Sequence, residues 1–237
     1  MISKLYYFFS SFFVLSILSP ERTGRITGSK IGNILRIGYD SIAKMFRIIT
    51  GLEKEEVKEH PALQWGVDNE VNALLKFQAL TGQFVIHALD NQPFLKHPKY
   101  DWIGVTPDGI TLCAKALIEL KCPYSREIPD DPNDQPQYIA QIQYAMWIAK
   151  AIVESKNEDS KKYFHDTFTE ECYLTYWKPD QCVVFRIPFC QEYIDQTFPK
   201  ILEFWECVQN KEQPKRMKKP TYMKVQYEVM KDDRKKE

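Results

Sequence analysis

The sequence predicts an α/β or α+β domain with a central mixed β-sheet flanked by helices. Three observations carry that expectation. Two long segments, Pro61 to Thr81 and Tyr138 to Ser155, repeat apolar residues at helical spacing. Four short runs with strand character lie between them, and two more follow, Glu171 to Trp177 and Cys182 to Pro188. A last helical stretch, Gln191 to Gln209, completes the order helix, strand meander, helix, strands, helix. At 237 residues and 44% hydrophobic content, the chain has ample material for a core in one large domain or at most two. The 14% aromatic content excludes global disorder.

Each element has a local reason. "ERTGRITGSKIGNIL" (21–35) reads as a turn entering a helix, with Thr27 or Ser29 as N-cap. A helix follows over Tyr39 to Ile49. The next starts at His60-Pro61, where proline in the first turn loses no helical hydrogen bond, and stops at Thr81-Gly82. The strands are Val85 to Ala88, Trp102 to Val105, Ile110 to Cys113 and Ala116 to Cys122. "SREIPDDPNDQPQ" (125–137) is a Pro/Asp loop, and "KNEDSKK" (156–162) is a polar break. No internal repeat or low-complexity segment is present. The expected organisation is an apolar leader (1–20), a folded domain (21–210) and a charged tail (211–237), solvated by default.

The 32 Lys/Arg and 32 Asp/Glu cancel formally, but basic residues dominate both flanks and the middle is acidic. That distribution suits a cation site beside a polyanion surface, and it also fits ordinary surface variation with a solvated tail. The six cysteines form no C-x-x-C pair, which argues against zinc and iron-sulfur centres and for a reducing compartment. His60, His87, His97 and His165 stand apart from one another and from cysteine at ligand spacing, so packing or surface roles are expected. "LYYFFSSFFVLSIL" after Lys4 has the shape of a signal-peptide core but is short for a membrane span and lacks an obvious cleavage site. An intracellular protein, nuclear or cytoplasmic, without stable membrane insertion is expected.

"TPDGITLCAKALIELKCP" (106–123) raises the functional question. On a strand, Leu117, Glu119 and Lys121 share one face, while Ile118, Leu120 and Cys122 share the other. The apolar set can fill the core, but Glu119 and Lys121 need water or a partner. Asp108 arrives in a Pro-Asp-Gly turn. On the first long helix, Glu70 falls inside the stripe Leu63, Val67, Val71, Leu74, Phe77 expected to be buried. On the second, Gln137, Gln141 and Tyr144 form a polar row beside Ile139, Ile142, Met146 and Ala149. Each feature alone has a bland reading, as an edge-strand ion pair or a common turn. Together they could converge on one hard-metal site. Trp65, Trp102 and Trp147 fall at packing positions; Tyr124 suits packing or stacking on a base.

Pro107-Asp108 followed by Glu119-x-Lys121 resembles the P-D…(D/E)-x-K signature of a nuclease superfamily. "ALQWGVDNE" (62–70), "GVTPDG" (104–109), "IELKCPYS" (118–125) and "YIAQIQYAMWIA" (138–149) closely resemble, in order, its lambda-type exonuclease and YqaJ-like viral recombinase group. "RTGRITGS" (22–29) is similar to the group's N-terminal phosphate-binding segment. The resemblance spans about Arg22 to Gln209. A Trp-bearing helix usual before that segment is replaced here by the apolar leader.

The resemblance implies a restriction-endonuclease-like core and a Mg²⁺-dependent deoxyribonuclease, with Mn²⁺ as a substitute ion. It implies Asp108, Glu119 and the Leu120 carbonyl as metal ligands, with Glu70 binding or orienting the ion. Lys121 would position and help deprotonate the attacking water, and Gln141 would buttress the site. Arg22, Ser29 and Arg126 would hold a 5′-terminal phosphate. The expected activity is 5′-to-3′ degradation of linear duplex DNA in recombination or viral DNA processing; an endonuclease or an inactive DNA-binding relic of a mobile element are the alternatives. A strand-annealing partner and a ring-shaped homotrimer also follow from the resemblance. The basic tail "KRMKKPTYMKVQ" (215–226) could touch phosphates or act as a nuclear import signal.

Overall fold

A computed structural model describes residues 20–55, 60–113, 115–215 and 223–234. The expectations for the apolar leader fall on residues 1–19, outside the described set. Strand β1 (Ile26–Thr27) runs into helix α1 (Gly28–Ile34), and α2 (Ile42–Ile49) and the long α3 (Pro61–Thr81) follow. Five short strands come next: β2 (Val85–Ile86), β3 (Leu95–Lys96), β4 (Ile103–Val105), β5 (Gly109–Thr111) and β6 (Leu117–Lys121). Helix α4 (Pro136–Ser155), the hairpin β7 (Glu171–Lys178) and β8 (Gln181–Pro188), helix α5 (Gln191–Asn210) and strand β9 (Glu228–Asp232) complete the chain.

The main sheet is mixed, in the order β2-β5-β6-β7-β8-β9, and β6 and β7 are its parallel pair. A small sheet, β1-β4-β3, lies beside it. Because strand side chains alternate, each face of the main sheet feeds a separate core. Leu117, Leu174, Tyr176, Val183 and Phe185 pack with Ile139, Ile142, Met146 and Ile148 of α4. Ile118, Leu120, Tyr173 and Val184 pack on the other face with Ala73, Leu74 and Phe77 of α3. Each such side chain, fully buried, contributes about 1.5–3 kcal/mol before entropy is counted. Helix α4 also packs against α1, α5, β3 and β4, which explains its apolar residues on several sides. The α1–α4 contact depends on Gly32: a Cβ there would lie 2.9 Å from Gln137 Cβ.

Helix α3 starts and stops for the expected reasons. His60 caps it, Nδ1 accepting from the Ala62 N–H at 3.2 Å, with Pro61 in the first turn. Gly82 ends it at φ +70° and donates its N–H to the Gln78 carbonyl at 2.9 Å. The expected buried stripe is only half right. Leu74 and Phe77 are buried, but Leu63 is 51% exposed, because the N-terminal half of α3 walls a cleft rather than the core. The solvated-tail reading also needs revision for residues 228–232. They pair with β8 as its outer neighbour, while Asn133 exchanges two hydrogen bonds with the Val225 backbone (3.1 and 2.9 Å). A strand at the edge supplies the N–H and C=O partners that β8 would otherwise leave unpaired.

Candidate active site

Strand β6 builds the centre of the site. Glu119 is 3% exposed and faces α4, where the Gln141 Nε2 donates to its Oε1 at 2.6 Å. The Lys121 ammonium donates to the same Glu119 oxygen. Asp108 lies against this strand for a backbone reason. Its own N–H reaches the Ile118 carbonyl (3.0 Å), and the Leu120 N–H donates to its Oδ2 (2.7 Å). Glu70 comes from α3, on the opposite side of the sheet from Gln141. The acid, base and amide singled out in the sequence therefore meet around one strand end.

Their electrostatics are coupled. Burial, then the charges of Glu119 and Glu70, push the Asp108 carboxyl well above its ordinary range, against Lys121 and the Leu120 N–H. Burial raises Glu70 to about 7, Lys121 pulling it down and Glu119 pushing it up. Burial opposes the Lys121 charge, but Glu119 and Asp108 outweigh it and hold the ammonium above its ordinary value. One lysine thus balances a negative cluster larger than itself.

These groups line a cleft of about 520 Å³ that also takes in Arg22, Ser29, Leu120 and Arg126. Arg22 donates to Thr106 Oγ1 at 3.0 Å, two residues before Asp108. Ser29 is exposed in the first turn of α1, its hydroxyl 3.4 Å from that of Thr27, the N-cap residue. Arg126 is exposed and donates to the Tyr39 hydroxyl at 2.7 Å, which also accepts from Gln137 at 3.0 Å. Every site residue expected from the sequence lines this one cleft. The polar row on α4 divides: Gln137 and Gln141 line it, but Tyr144 is fully buried with its hydroxyl 3.1 Å from Thr197. Tyr124 is 55% exposed and meets Trp65 edge-on at 5.9 Å. Trp102 stacks on Trp205 at 4.9 Å, a packing role.

Sequence reasoning missed three tyrosines. Lys121 Nζ lies 4.6 Å from the Tyr138 ring centroid, a cation–π contact, and Tyr138 hydrogen-bonds Tyr39. Tyr176 lies in register with Lys121 on the neighbouring strand and lines the same cleft. Burial pushes its phenol above the ordinary range, against Lys121. Tyr138 was readable as a neighbour of Gln141 one helical turn away; only strand pairing brings in Tyr176.

The donor set suits a hard divalent cation: carboxylate oxygens from Glu70, Asp108 and Glu119, whose repulsion a cation relieves. Among the described residues no three His, Cys, Asp or Glu side chains already stand in chelating geometry. The residues fit such an ion in kind. Glu119 Oε1 takes both Lys121 and Gln141, which leaves its Oε2 as the oxygen to offer such an ion.

The fold is of the lambda-exonuclease-like nuclease class. The chain is similar to LHK-Exo in complex with dAMP, with a TM-score of 0.61 and 18% identity, covering 80% of this chain and 90% of that one. It is similar also to the alkaline exonuclease LHK-Exo from Laribacter hongkongensis, with a TM-score of 0.58, 19% identity and the same coverage. The YqaJ-like viral recombinase domain model matches residues 19–152, more than half the sequence, and the chain belongs to that family. No curated protein matches it.

Proposed function

We propose that this protein is a Mg²⁺-dependent deoxyribonuclease that degrades one strand of linear duplex DNA from a 5′ end, in recombination or viral DNA processing. One observation carries the reading. Glu70 of α3, Asp108 from the turn before β5, Glu119 and Lys121 of β6 and Gln141 of α4 converge in a cleft that Arg22 and Arg126 also line. Buried carboxylates perturbed by one another and by a lysine, and lining a cleft, mark a candidate functional site. Family membership and a fold shared with an alkaline exonuclease support the same class.

The substrate is an anion, and the cleft answers it in two zones. Arg22, Ser29 and Arg126 would take the terminal phosphate, and the carboxylate centre would receive the phosphodiester to be cut. Glu70, Asp108, Glu119 and the Leu120 carbonyl would hold Mg²⁺, which when bound supplies charge neutralisation and lowers the pKa of water. Lys121 would position the attacking water, help its deprotonation and stabilise the charged phosphate oxygens. Gln141 would keep Glu119 oriented. As the new P–O bond forms, the bond from phosphorus to the leaving oxygen breaks; the proton of the water leaves to solvent and the leaving oxygen takes one up from solvent, giving a phosphate monoester and an alcohol.

The test is digestion of linear duplex DNA carrying 5′-phosphate or 5′-hydroxyl ends, beside a closed circle, in Mg²⁺ with an EDTA control. Preferential loss of the phosphorylated linear duplex, abolished by EDTA and reduced by at least about a hundredfold in Lys121→Ala, is the expected result. Cutting of the circle would instead make the enzyme an endonuclease. No cutting by folded protein would refute the nuclease reading.

A further inference from the structure

The cleft contains a buried polar atom that neither the site's internal bonding nor the roles above use. Tyr176 is 2% exposed, and its hydroxyl has no hydrogen-bond partner among the described residues. Burying a hydroxyl without a partner costs free energy, so such atoms are rare in folded proteins. This one lies on β7 directly opposite Lys121 in the parallel β6–β7 ladder, on the face that carries Glu119. The Tyr176 ring is fixed against Phe185, edge-on at 6.1 Å between centroids. The hydroxyl is therefore held in place without being satisfied.

No hydrogen bond joins this hydroxyl to the site's carboxylates: Glu119 Oε1 takes Lys121 and Gln141, and the Asp108 Oδ2 takes the Leu120 N–H. Tyr138 is committed to Tyr39 and stands beside the Lys121 ammonium. A donor placed next to a lysine at the bottom of an anion-accepting cleft suits a ligand that brings its own acceptor. We propose that Tyr176 is a substrate-binding residue of this cleft, its hydroxyl donating to a non-bridging oxygen of the phosphate bound beside Lys121. The inference rests on the nuclease reading, which supplies the phosphate. It adds a contact from β7, a strand that contributes nothing else to the site.

Tyr176→Phe tests it, because phenylalanine keeps the packed ring and removes only the hydroxyl. Thermal unfolding of the ligand-free variant should match or slightly exceed the wild type, since no internal hydrogen bond is lost. Affinity for a short 5′-phosphorylated duplex, measured by fluorescence anisotropy in Ca²⁺, should fall about tenfold to a hundredfold, the usual cost of losing a hydrogen bond to a charged group. The single-turnover rate in Mg²⁺ should fall as well at subsaturating DNA. Unchanged affinity with an unchanged rate would overturn the inference while leaving the nuclease reading intact. A marked loss of thermal stability in the ligand-free variant would also overturn it, by revealing an internal partner. Failure of the wild type itself to bind or cut the duplex would sink both.

Discussion

Glu70 offers the most discriminating perturbation, because its charge opposes folding while the proposed activity requires it. The side chain accepts no hydrogen bond among the described residues, and burial holds it at about 7 rather than its ordinary 4.5. Below about pH 4.5 the carboxyl is protonated in both the folded and unfolded chain and contributes no difference. Between 4.5 and 7 the unfolded chain ionises while the folded protein keeps its proton, so folded stability falls as pH rises. Above 7 the full cost of burying the charge is present. At about 1.4 kcal/mol per pH unit, the gap corresponds to about 3 kcal/mol. Glu70→Gln keeps the shape and deletes the charge. In EDTA at pH 8.5 the variant should unfold about 6–12 °C above the wild type, and the difference should shrink toward zero near pH 4.5. Nuclease activity should meanwhile fall by more than an order of magnitude. Thermal unfolding followed by circular dichroism at the two pH values gives the comparison. A variant no more stable than wild type at pH 8.5, or equally stabilised at both pH values, would refute the electrostatic account of this cluster.

Gln141→Ala removes the 2.6 Å bond that orients Glu119. It should lower kcat about tenfold and cost about 1–3 kcal/mol of stability, a fall of several degrees in melting temperature, which steady-state kinetics and calorimetry together measure. Ending the chain at residue 222 removes β9, the Asn133–Val225 bonds and the 2.7 Å Lys76–Asp233 ion pair. Stability should drop by about 3 kcal/mol or more, and the bared β8 edge should promote association, visible by light scattering. A truncated chain with wild-type melting and no association would show that β9 is dispensable.

The strongly patterned parts of the chain are legible in the sequence alone. Helix α3 needs only its Pro61 start and Gly82 stop, and β6 needs only its alternation, which places Glu119 and Lys121 on one face and Ile118 and Leu120 on the other. The gathering of Glu70, Asp108 and Gln141 around them is legible through motif resemblance, since no local rule brings a turn and two helices to one strand end. The N-terminal half of α3 misleads. The Leu63 spacing reads as core because periodicity reports which residues share a side, not what that side faces.

Local geometry and side-chain period are properties of short segments, so the order of elements, the two faces of β6 and the caps of α3 follow from neighbouring residues alone. Pairings between distant segments are decided by long-range closure, in which one ladder competes with others of similar local preference. That is why β9 on β8, the small β1-β4-β3 sheet and the position of Tyr176 opposite Lys121 emerge only in three dimensions. The charge states of the site belong to the same category. Glu70 and Asp108 are ordinary carboxylates in the chain and become perturbed only when burial removes water and brings their charges together.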